Sequence, residues 1–477
     1  MNPAPDAVDR PYLYADWTQS LCPECLRTVS AKVVYQEDKV FLQKHCPEHG
    51  PSRALISTDV DYYRRCRGTL KAGQLPQVFN TPTRFGCPFD CGLCPDHEQH
   101  SCLSIVEVTD ACNLACPVCY AESSPRRSTH RPLSLIEKML DAVVANEAEP
   151  DIVQISGGEP TIHPEFFAIL DAAKRRPIKH LMLNTNGVRI AREDGFAEKL
   201  AAYAPGFEIY LQFDSLRPDP IRALRGADLL EVRHRALERL NALNLSTTLV
   251  ITLKRGLNDD EVGAIIDFAL RQRCVRGVTF QPIQDAGRVE GFDPARDRLT
   301  LGEVRQRILA QSPVFAPADI IPVPCHPDCL AMGYALKAAG RIMPLTGLIP
   351  PEVLLHAEGS NLVFERDPRI REEVFRLFST SNSPESSAAA LRQLLCCLPL
   401  VSAPPSLGYE NLFRVLVVQF LDAHNFDVRS VKKSCIHIVH PDGRLIPFDT
   451  YNLFYRDGKE MRLRELRAAA LAGIGKR

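Results

Sequence analysis

Short apolar runs alternate with amphipathic stretches through the middle of the chain. Six runs have the length and composition of buried strands: 104–109, 151–156, 179–185, 207–214, 246–253 and 275–283. Apolar residues recur at helical spacing between them, as from Val262 to Leu270, where Asn258 and Glu261 are placed to form a capping box. Strands that alternate with helices predict a parallel sheet with right-handed crossovers. Six units are fewer than the eight of a closed barrel, so we predict an α/β fold with a partial (β/α)6 TIM-like barrel.

The remaining sequence is less periodic and divides the chain into four predicted parts. These are an N-terminal cysteine-rich metal domain (1–85), a cysteine-dense linker (86–103), the barrel (104–323) and a C-terminal domain (324–477). In the last part the apolar run Leu412 to Leu421 is predicted to be a buried helix within a helical region near 386–424. Cys396 and Cys397 are predicted to be core residues of that region. Pro441 to Gly443 predicts the turn of a hairpin.

Composition and charge narrow the class of protein. The 477 residues suggest two to four domains at about 150 residues each. A formal net charge of -1 offers no field that would attract nucleic acid. The first ten residues lack the features of a signal peptide, and no apolar run reaches the roughly 18 residues of a membrane span. We therefore expect a cytoplasmic protein with no nucleic-acid partner and no transmembrane segment.

Cysteine is unusually abundant for such a chain. Eleven of the 17 cysteines precede residue 120, most of them in C-x2-C or C-x3-C spacing. Local spacing of this kind favours metal binding over long-range disulfides.

One cysteine group directly follows the first predicted strand of the barrel. Cys112, Cys116 and Cys119 have C-x3-C-x2-C spacing in the loop after Thr109. Three thiolates can hold three irons of a cubane and leave the fourth iron open to chelate the amino and carboxylate groups of S-adenosylmethionine (SAM). A zinc knuckle or a ferredoxin site is the alternative, but the position after a strand of the β/α series argues against both.

This cysteine spacing, with the apolar Val118 before the last cysteine, resembles the radical SAM superfamily. The next strand ends in Ser156, Gly157, Gly158 and Glu159, which matches the GGE motif of that superfamily. Glycines expose backbone groups to the amino group of SAM, and Glu159 is expected to brace the loop. Further cofactor-binding candidates at later strand ends, where simple turns are the alternative, are Asn184, Asn186, Gln212 and Asp214.

Three other cysteine groups predict further metal sites. An auxiliary [4Fe-4S] cluster is predicted on Cys87, Cys91, Cys94 and, as its least secure ligand, Cys102. One zinc or iron ion is predicted on Cys22, Cys25, Cys46 and His49, with Cys66 as a rival fourth ligand. A second auxiliary cluster is predicted on Cys325, Cys329 and Cys435.

A narrower resemblance covers about Cys22 to Tyr455. CPEC, CPEHG, CPFDCGLCPDH, TDACNLACPVCYAES, ISGGEPT and CIHIVHPDGRLIPFDTYN resemble the tetraether lipid synthases of archaea and their bacterial relatives. The resemblance implies a SAM cluster, two auxiliary clusters, a rubredoxin-like N-terminal metal and C–C coupling of lipid chains. Ser434 and Asp449 stand where that family tends to have cysteines, so either Asp449 or an open iron position would complete the cluster on Cys325, Cys329 and Cys435.

The predicted function is therefore a radical SAM enzyme that abstracts hydrogen from an unactivated carbon of a lipid or another apolar substrate. Its expected partners include an electron donor such as flavodoxin or ferredoxin, and lipid chemistry would bring peripheral membrane contact. A radical SAM methyltransferase acting on a small molecule is one alternative. A non-catalytic iron–sulfur electron-transfer protein is another.

Overall fold

The computed structural model describes residues 10–69, 74–338, 341–349, 411–456 and 458–474. It begins with a four-stranded antiparallel sheet and one helix: β1 (Leu13–Leu21), β2 (Thr28–Gln36), β3 (Lys39–Cys46), β4 (Gly50–Ser57) and α1 (Val60–Gly68). Alternate residues of β2 and β3 point inward, and Val33, Val40 and Leu42 pack into a small core of their own. Asp59 caps α1 by accepting a hydrogen bond from the backbone N–H of Tyr62.

A second sheet, with twelve strands in the described ranges, forms the body of the molecule. The remaining strands of the protein are β5 (Leu103–Thr109), β6 (Val118–Cys119), β7 (Ile152–Gly157), β8 (His180–Thr185), β9 (Phe207–Gln212), β10 (Thr247–Leu253), β11 (Val275–Pro282), β12 (Arg288–Val289), β13 (Ile321–Pro322), β14 (Leu330–Ala338), β15 (Arg341–Pro344), β16 (Leu412–Val418), β17 (Ile436–Val439) and β18 (Leu445–Pro447). The six predicted barrel strands are β5 and β7 to β11, and they pair in parallel in chain order. The predicted partial barrel is confirmed.

Within the described residues, twelve further helices lie between or after these strands. They are α2 (Leu133–Glu147), α3 (Phe166–Lys174), α4 (Val188–Arg192), α5 (Phe196–Ala201), α6 (Pro218–Arg225), α7 (Leu230–Leu243), α8 (Val262–Arg271), α9 (Pro294–Asp297), α10 (Leu301–Gln311), α11 (Val428–Val431), α12 (Phe448–Thr450) and α13 (Glu460–Ile474). Short 3-10 turns span Pro160–Ile162 and Thr346–Leu348, and a π-helical turn spans Tyr451–Tyr455. None of the helices within the described ranges has the length and hydropathy that a bilayer crossing requires.

The predicted helix α8 is present, but its predicted capping box is wrong. The side chain of Asn258 instead accepts from the backbone N–H of Lys254 and donates to the carbonyl oxygens of Asp214 and Thr252. Glu261 is held by Ser215. Both side chains therefore fix the loops that follow β9 and β10, and α8 begins without a side-chain cap.

The C-terminal strands extend the barrel sheet on both of its edges. β16 pairs in parallel with β11, with Arg414 opposite Gly277, so the predicted helix over Leu412 to Leu421 is wrong. Its β-branched residues are buried between neighbouring strands, which overrides the helical interpretation of an apolar run. Residues 386–410 of the predicted helical region, with Cys396 and Cys397, lie outside the described residues. The predicted hairpin is present as β17 and β18, and β17 pairs in parallel with β5.

The interior of the partial barrel holds a cavity with an empty volume of ≈ 1520 Å³, including its open mouth. In a closed eight-stranded barrel this space is filled by layers of side chains. Here the inward-facing side chains of Ile105, Ile152, Met182 and Leu416 line the cavity instead. The fold thus leaves room for a ligand along the inner face of its central strands.

Candidate active site

The loop after β5 presents three thiols to the mouth of the cavity. Cys112, Cys116 and Cys119 all line it. Burial raises the pKa of the Cys112 thiol to about 12, so a metal must displace its proton to bind there. Arg288, which the sequence did not single out, donates to the carbonyl oxygen of Cys116 at 2.6 Å and to that of Ser123 at 2.7 Å. It therefore fixes the loop from the strand β12, which pairs with β6.

The glycines after β7 pack directly against this loop. The backbone N–H of Gly158 donates to the carbonyl oxygen of Thr109 at 2.7 Å, and that of Glu159 donates to the carbonyl oxygen of Ala111 at 2.9 Å. A Cβ on Gly158 would lie 2.1 Å from the Ala111 oxygen, so a side chain cannot be accommodated. Gly157 has φ +121°, a conformation that favours glycine. Both glycines line the cavity, as a cofactor-binding role requires.

Glu159 braces the site from behind and does not line the cavity. One carboxylate oxygen accepts from the hydroxyls of Thr161 and Thr185, both at 2.7 Å, and the other accepts from the backbone N–H of Asn186 at 2.8 Å. Burial raises the pKa of this carboxyl, and the donors oppose that rise. The expected bracing role fits this geometry, whereas direct contact with a cofactor does not.

The polar residues at later strand ends divide into two groups. Asn184, Asn186 and Gln212 line the cavity. Ser156 is buried behind it and accepts from Asn184 Nδ2 at 3.0 Å. Gln212 Oε1 is buried and has no hydrogen-bond partner among the described residues, so it offers a free acceptor to a hydroxyl or N–H of a bound ligand.

Asp214 does not have its predicted role. Its carboxylate is fully buried and holds both Nε and Nη2 of Arg225, at 2.7 and 2.6 Å. Burial alone would raise the pKa of this carboxyl, but Arg225 keeps it below its usual range. The prediction failed because β9 ends at Gln212 and the chain turns at Asp214 with φ +70°, which breaks the strand alternation. Arg225 lines the cavity instead, so Asp214 acts by orienting a guanidinium.

The N-terminal group has the spacing of one tetrahedral ion. Cys22, Cys25, Cys46 and His49 converge within 4.8 Å. The sulfurs of Cys25 and Cys46 are 3.8 Å apart, and His49 Nδ1 lies 3.5 Å from Cys46 Sγ and 3.7 Å from Cys22 Sγ. Tetrahedral ligands at zinc bond lengths stand about 3.8 Å (S to S) and about 3.6 Å (S to N) apart. Cys66 is buried in α1 beside Tyr62, away from this group.

A second converging group differs from the predicted one. Cys102, Cys325 and Cys435 are fully buried and lie within 4.8 Å of one another, with Cys325 Sγ and Cys435 Sγ 3.5 Å apart. His100 Nε2 is 3.4 Å from Cys102 Sγ. The structure thus places Cys102 with the C-terminal cysteines and not with Cys87, Cys91 and Cys94.

Cys329 and Asp449 also depart from their predicted places. Cys329 lies outside the converging group and lines a small cavity beside Leu42 and Asp427. Asp449 Oδ1 accepts from the backbone N–H of Leu421 at 2.7 Å, and burial raises the pKa of its carboxyl to about 7. The separation arises because Cys325 precedes a turn, whereas Cys329 ends that turn and leads directly into β14.

Cys87, Cys91 and Cys94 form the remaining group, in the linker before β5. The side chains of Cys87 and Cys91 are neighbours, and the backbone N–H of Cys91 donates to the hydroxyl of Tyr455 at 2.9 Å. Their sulfurs, like those of the loop after β5, are not all within 4.8 Å. Wider spacing suits a cubane because each thiolate binds a different iron.

The residues around the three-thiol loop fit the cluster and cofactor that the motif implies. They supply three thiols and glycine backbone at close approach. Cys112, Cys116 and Cys119 would hold the [4Fe-4S] cluster, and Gly157, Gly158 and Asn184 would contact SAM.

Comparisons with known proteins agree with this geometry. The radical SAM superfamily profile matches residues 106–269, and the "HMPTM N-terminal zinc ribbon domain" profile matches residues 14–58. The 7,8-dihydro-6-hydroxymethylpterin dimethyltransferase of Methanocaldococcus jannaschii is 30% identical over 93% of this chain and 94% of its own length. The GTP 3′,8-cyclase of Chlorobaculum tepidum is 30% identical over 41% of this chain and 59% of its own length.

A solved structure of Streptococcus suis SuiB bound to S-adenosylmethionine is also similar, with 17% identity, a TM-score of 0.37 and coverage of 44% of this chain and 46% of SuiB. The full-length relative is named a pterin dimethyltransferase, so the comparisons support the radical SAM part of the expected resemblance but not its tetraether lipid synthase part. The chain belongs to the radical SAM superfamily and, within it, to the family that includes the Methanocaldococcus jannaschii 7,8-dihydro-6-hydroxymethylpterin dimethyltransferase.

Proposed function

We propose that this radical SAM enzyme methylates a small, flat nitrogen heterocycle of the pterin class. The observation that carries the proposal is a set of primary amide side chains on the cavity wall: Gln154, Asn184, Gln212 and Gln281. They come from four strands of the barrel, β7, β8, β9 and β11. An amide both donates and accepts hydrogen bonds, as does the edge of a pterin ring.

The amide side chains differ in how many of their hydrogen bonds are already made within the protein. Asn184 donates to Ser156 Oγ at 3.0 Å, and Gln281 donates to the hydroxyl of Tyr210 at 3.1 Å. Gln212 Oε1 is buried without a partner among the described residues. A buried acceptor left unpaired costs about 1–3 kcal/mol, so a ligand that donates to Gln212 gains what the free protein lacks.

An aromatic surface on the same cavity suits a flat ring. Phe420 and Phe448 line the cavity and stack with ring centroids 3.9 Å apart at an interplanar angle of 28°. Tyr120 lies 5.0 Å from Phe448. Planar heterocycles stack favourably on such faces. The C-terminal residues around Phe448 therefore close one side of the cavity and help to exclude water from the reacting atoms.

When bound, the cluster would supply a 5′-deoxyadenosyl radical from one SAM and a second SAM would supply the methyl group, with two electrons in all from the external donor. The residues of the chain bind and orient. Gly157 and Gly158 bring the backbone against the cluster loop, Glu159 holds the loops after β7 and β8 together, and Arg288 fixes the cysteine loop. An external electron donor is required, as in other radical SAM enzymes.

Lipid-chain coupling, the function first expected from the sequence, stands as a second candidate. The observation that favours it is the apolar part of the same wall, which includes Leu103, Ile105, Ile152, Met182 and Val250. These residues would accept a hydrocarbon chain, but such a chain would leave the buried Gln212 Oε1 without a hydrogen-bond donor. The heterocycle uses both surfaces, which is why we prefer it.

The test is an anaerobic incubation of the reconstituted enzyme with SAM, dithionite and either 6-hydroxymethyl-7,8-dihydropterin or a diether lipid. Mass spectrometry should detect methylated pterin and no coupled lipid. The Gln212→Leu variant should form product more slowly at low pterin concentration while still cleaving SAM. Coupled lipid with unmodified pterin would overturn the proposal in favour of the second candidate.

A further inference from the structure

Helix α7 buries a guanidinium directly behind the cysteine loop. The side chain of Arg233 is fully buried. Its Nη1 donates to the backbone carbonyl of Asn186. Its Nε and Nη2 have no hydrogen-bond partner among the described residues. A buried cation with two unused N–H donors is costly, so the site must gain something from keeping it.

The carboxylates near Arg233 are already engaged elsewhere. Asp214 is held on both oxygens by Arg225, and Glu159 accepts from Thr161, Thr185 and the backbone of Asn186. Nε and Nη2 of Arg233 therefore have no carboxylate hydrogen-bond partner among the described residues. Two guanidinium groups thus stand behind the cysteine loop, and only the charge of Arg225 is directly matched.

A short path connects Arg233 to the cluster ligands. The carbonyl of Asn186 accepts from Arg233, and the amide of Asn186 donates to Asn113 Oδ1 at 2.6 Å and lies 4.0 Å from Cys112 Sγ. Cys116 is also near enough for its thiolate charge to act on Arg233. Arg233 itself does not line the cavity, so it does not contact SAM or substrate.

We propose that Arg233 is a positioning residue that raises the reduction potential of the cluster on Cys112, Cys116 and Cys119. A [4Fe-4S]2+ core bound by three thiolates is anionic, and reduction adds one more negative charge. A fixed cation in a medium of low dielectric constant stabilises the reduced form more than the oxidised form. The inference rests on the superfamily assignment and holds for either candidate substrate.

The experiment is a redox titration of the reconstituted enzyme, followed by electron paramagnetic resonance of the reduced cluster. The signal that changes when SAM is added identifies the open cluster among those present. Arg233→Met removes the charge, and Arg233→Lys keeps it. Arg239→Met is the matched control, because Arg239 lies on the same helix but bonds to Ile190, Glu193 and Asp194.

At the wild-type midpoint, Arg233→Met should lower the ratio of reduced to oxidised cluster about tenfold, which is 59 mV for one electron. Arg233→Lys should stay within about threefold of wild type, and Arg239→Met should not differ from it. SAM cleavage by Arg233→Met should be slow with dithionite and should recover with the stronger reductant titanium(III) citrate. A structural defect would be equally slow with both reductants.

A fully loaded Arg233→Met cluster that titrates at the wild-type potential would overturn the proposal. If that variant binds no cluster, Arg233→Gln is titrated in its place under the same criterion. If neither uncharged variant binds a cluster while Arg233→Lys does, Arg233 serves cluster binding and not its potential, and the proposal is wrong.

Discussion

Replacing Gly158 by alanine should separate the two loops that form the SAM site. The new Cβ would lie 2.1 Å from the carbonyl oxygen of Ala111, whereas ordinary contacts begin at 3.4 Å, so the backbones must part by about 1.3 Å. The cysteine loop cannot rotate away freely, because the backbone of Gly158 and that of Glu159 are hydrogen-bonded to it. Overpacking of this kind costs about 1–3 kcal/mol, and a misplacement near 1 Å slows a positioned reaction about 100-fold.

The assay is 5′-deoxyadenosine formation at saturating SAM with excess dithionite, under anaerobic conditions and at matched iron content. Gly158→Ala should reduce this rate about 100-fold. The control is Gly68→Ala, since a Cβ there meets nothing within 4 Å and the position has no positive φ. Gly68→Ala should cleave SAM at the wild-type rate. If Gly158→Ala does so too, with its full iron content, the close packing of the two loops is not required for SAM binding.

Three further predictions concern the other metal sites and one buried carboxyl. Cys46→Ser should lose one metal ion per chain and make the four-stranded sheet sensitive to protease, while the cluster absorbance persists; an unchanged metal content would contradict the tetrahedral site. Burial raises the pKa of the Asp449 carboxyl to about 7, so the folded protein favours its protonated form. The free energy of unfolding of the wild type should therefore fall as the pH rises from about 4 through 7, by at most about 4 kcal/mol. Thermal unfolding of Asp449→Asn should lack this fall, and the same pH dependence in both proteins would refute the assignment to Asp449. Cys102→Ala and Cys435→Ala should remove the same iron signal from Mössbauer spectra, so the double variant should lose no more iron than either single variant. If Cys102→Ala instead removes the iron signal that Cys91→Ala removes, the grouping predicted from sequence is correct.

The barrel strands and the cysteine loop follow from local sequence, and for that reason they were predictable. Each strand is an apolar run between helical stripes, and the three thiols sit within eight residues of one another. Glu159 was expected to brace the loop from its place in the GGE motif, and its carboxylate accepts from the backbone N–H of Asn186. The sequence therefore predicts the strands and the cysteine loop, because both depend on residues that lie close together in the chain.

Asp214 shows where local reasoning fails. The run 207–214 was predicted to be one strand, with Gln212 and Asp214 at its end as candidates for binding the cofactor. The strand ends two residues earlier, at Gln212, and the positive φ of Asp214 turns its carboxylate toward Arg225. Arg225 belongs to no sequence motif that would predict this contact. The same applies to Arg233 and Arg288, whose partners are backbone carbonyls of distant loops. Such partners leave no pattern in the sequence.

The regrouping of Cys102 depends on topology alone. Cys102 directly precedes β5 and Cys435 directly precedes β17, and these strands pair in parallel with Leu103 opposite Ile436. The backbone N–H of Leu103 donates to the carbonyl oxygen of Cys435 at 3.1 Å, so the two cysteines lie side by side. Spacing along the chain assigned Cys102 to the three linker cysteines only 8 to 15 residues before it, although its neighbour in space lies more than 300 residues later. With Cys102 placed elsewhere, Cys87, Cys91 and Cys94 have the same C-x3-C-x2-C spacing as the SAM loop, but the described residues directly before them, 74–86, contain no β-strand. The C-x3-C-x2-C spacing therefore identifies a three-thiol loop, whereas the strand that precedes the loop decides whether its thiols face the cavity.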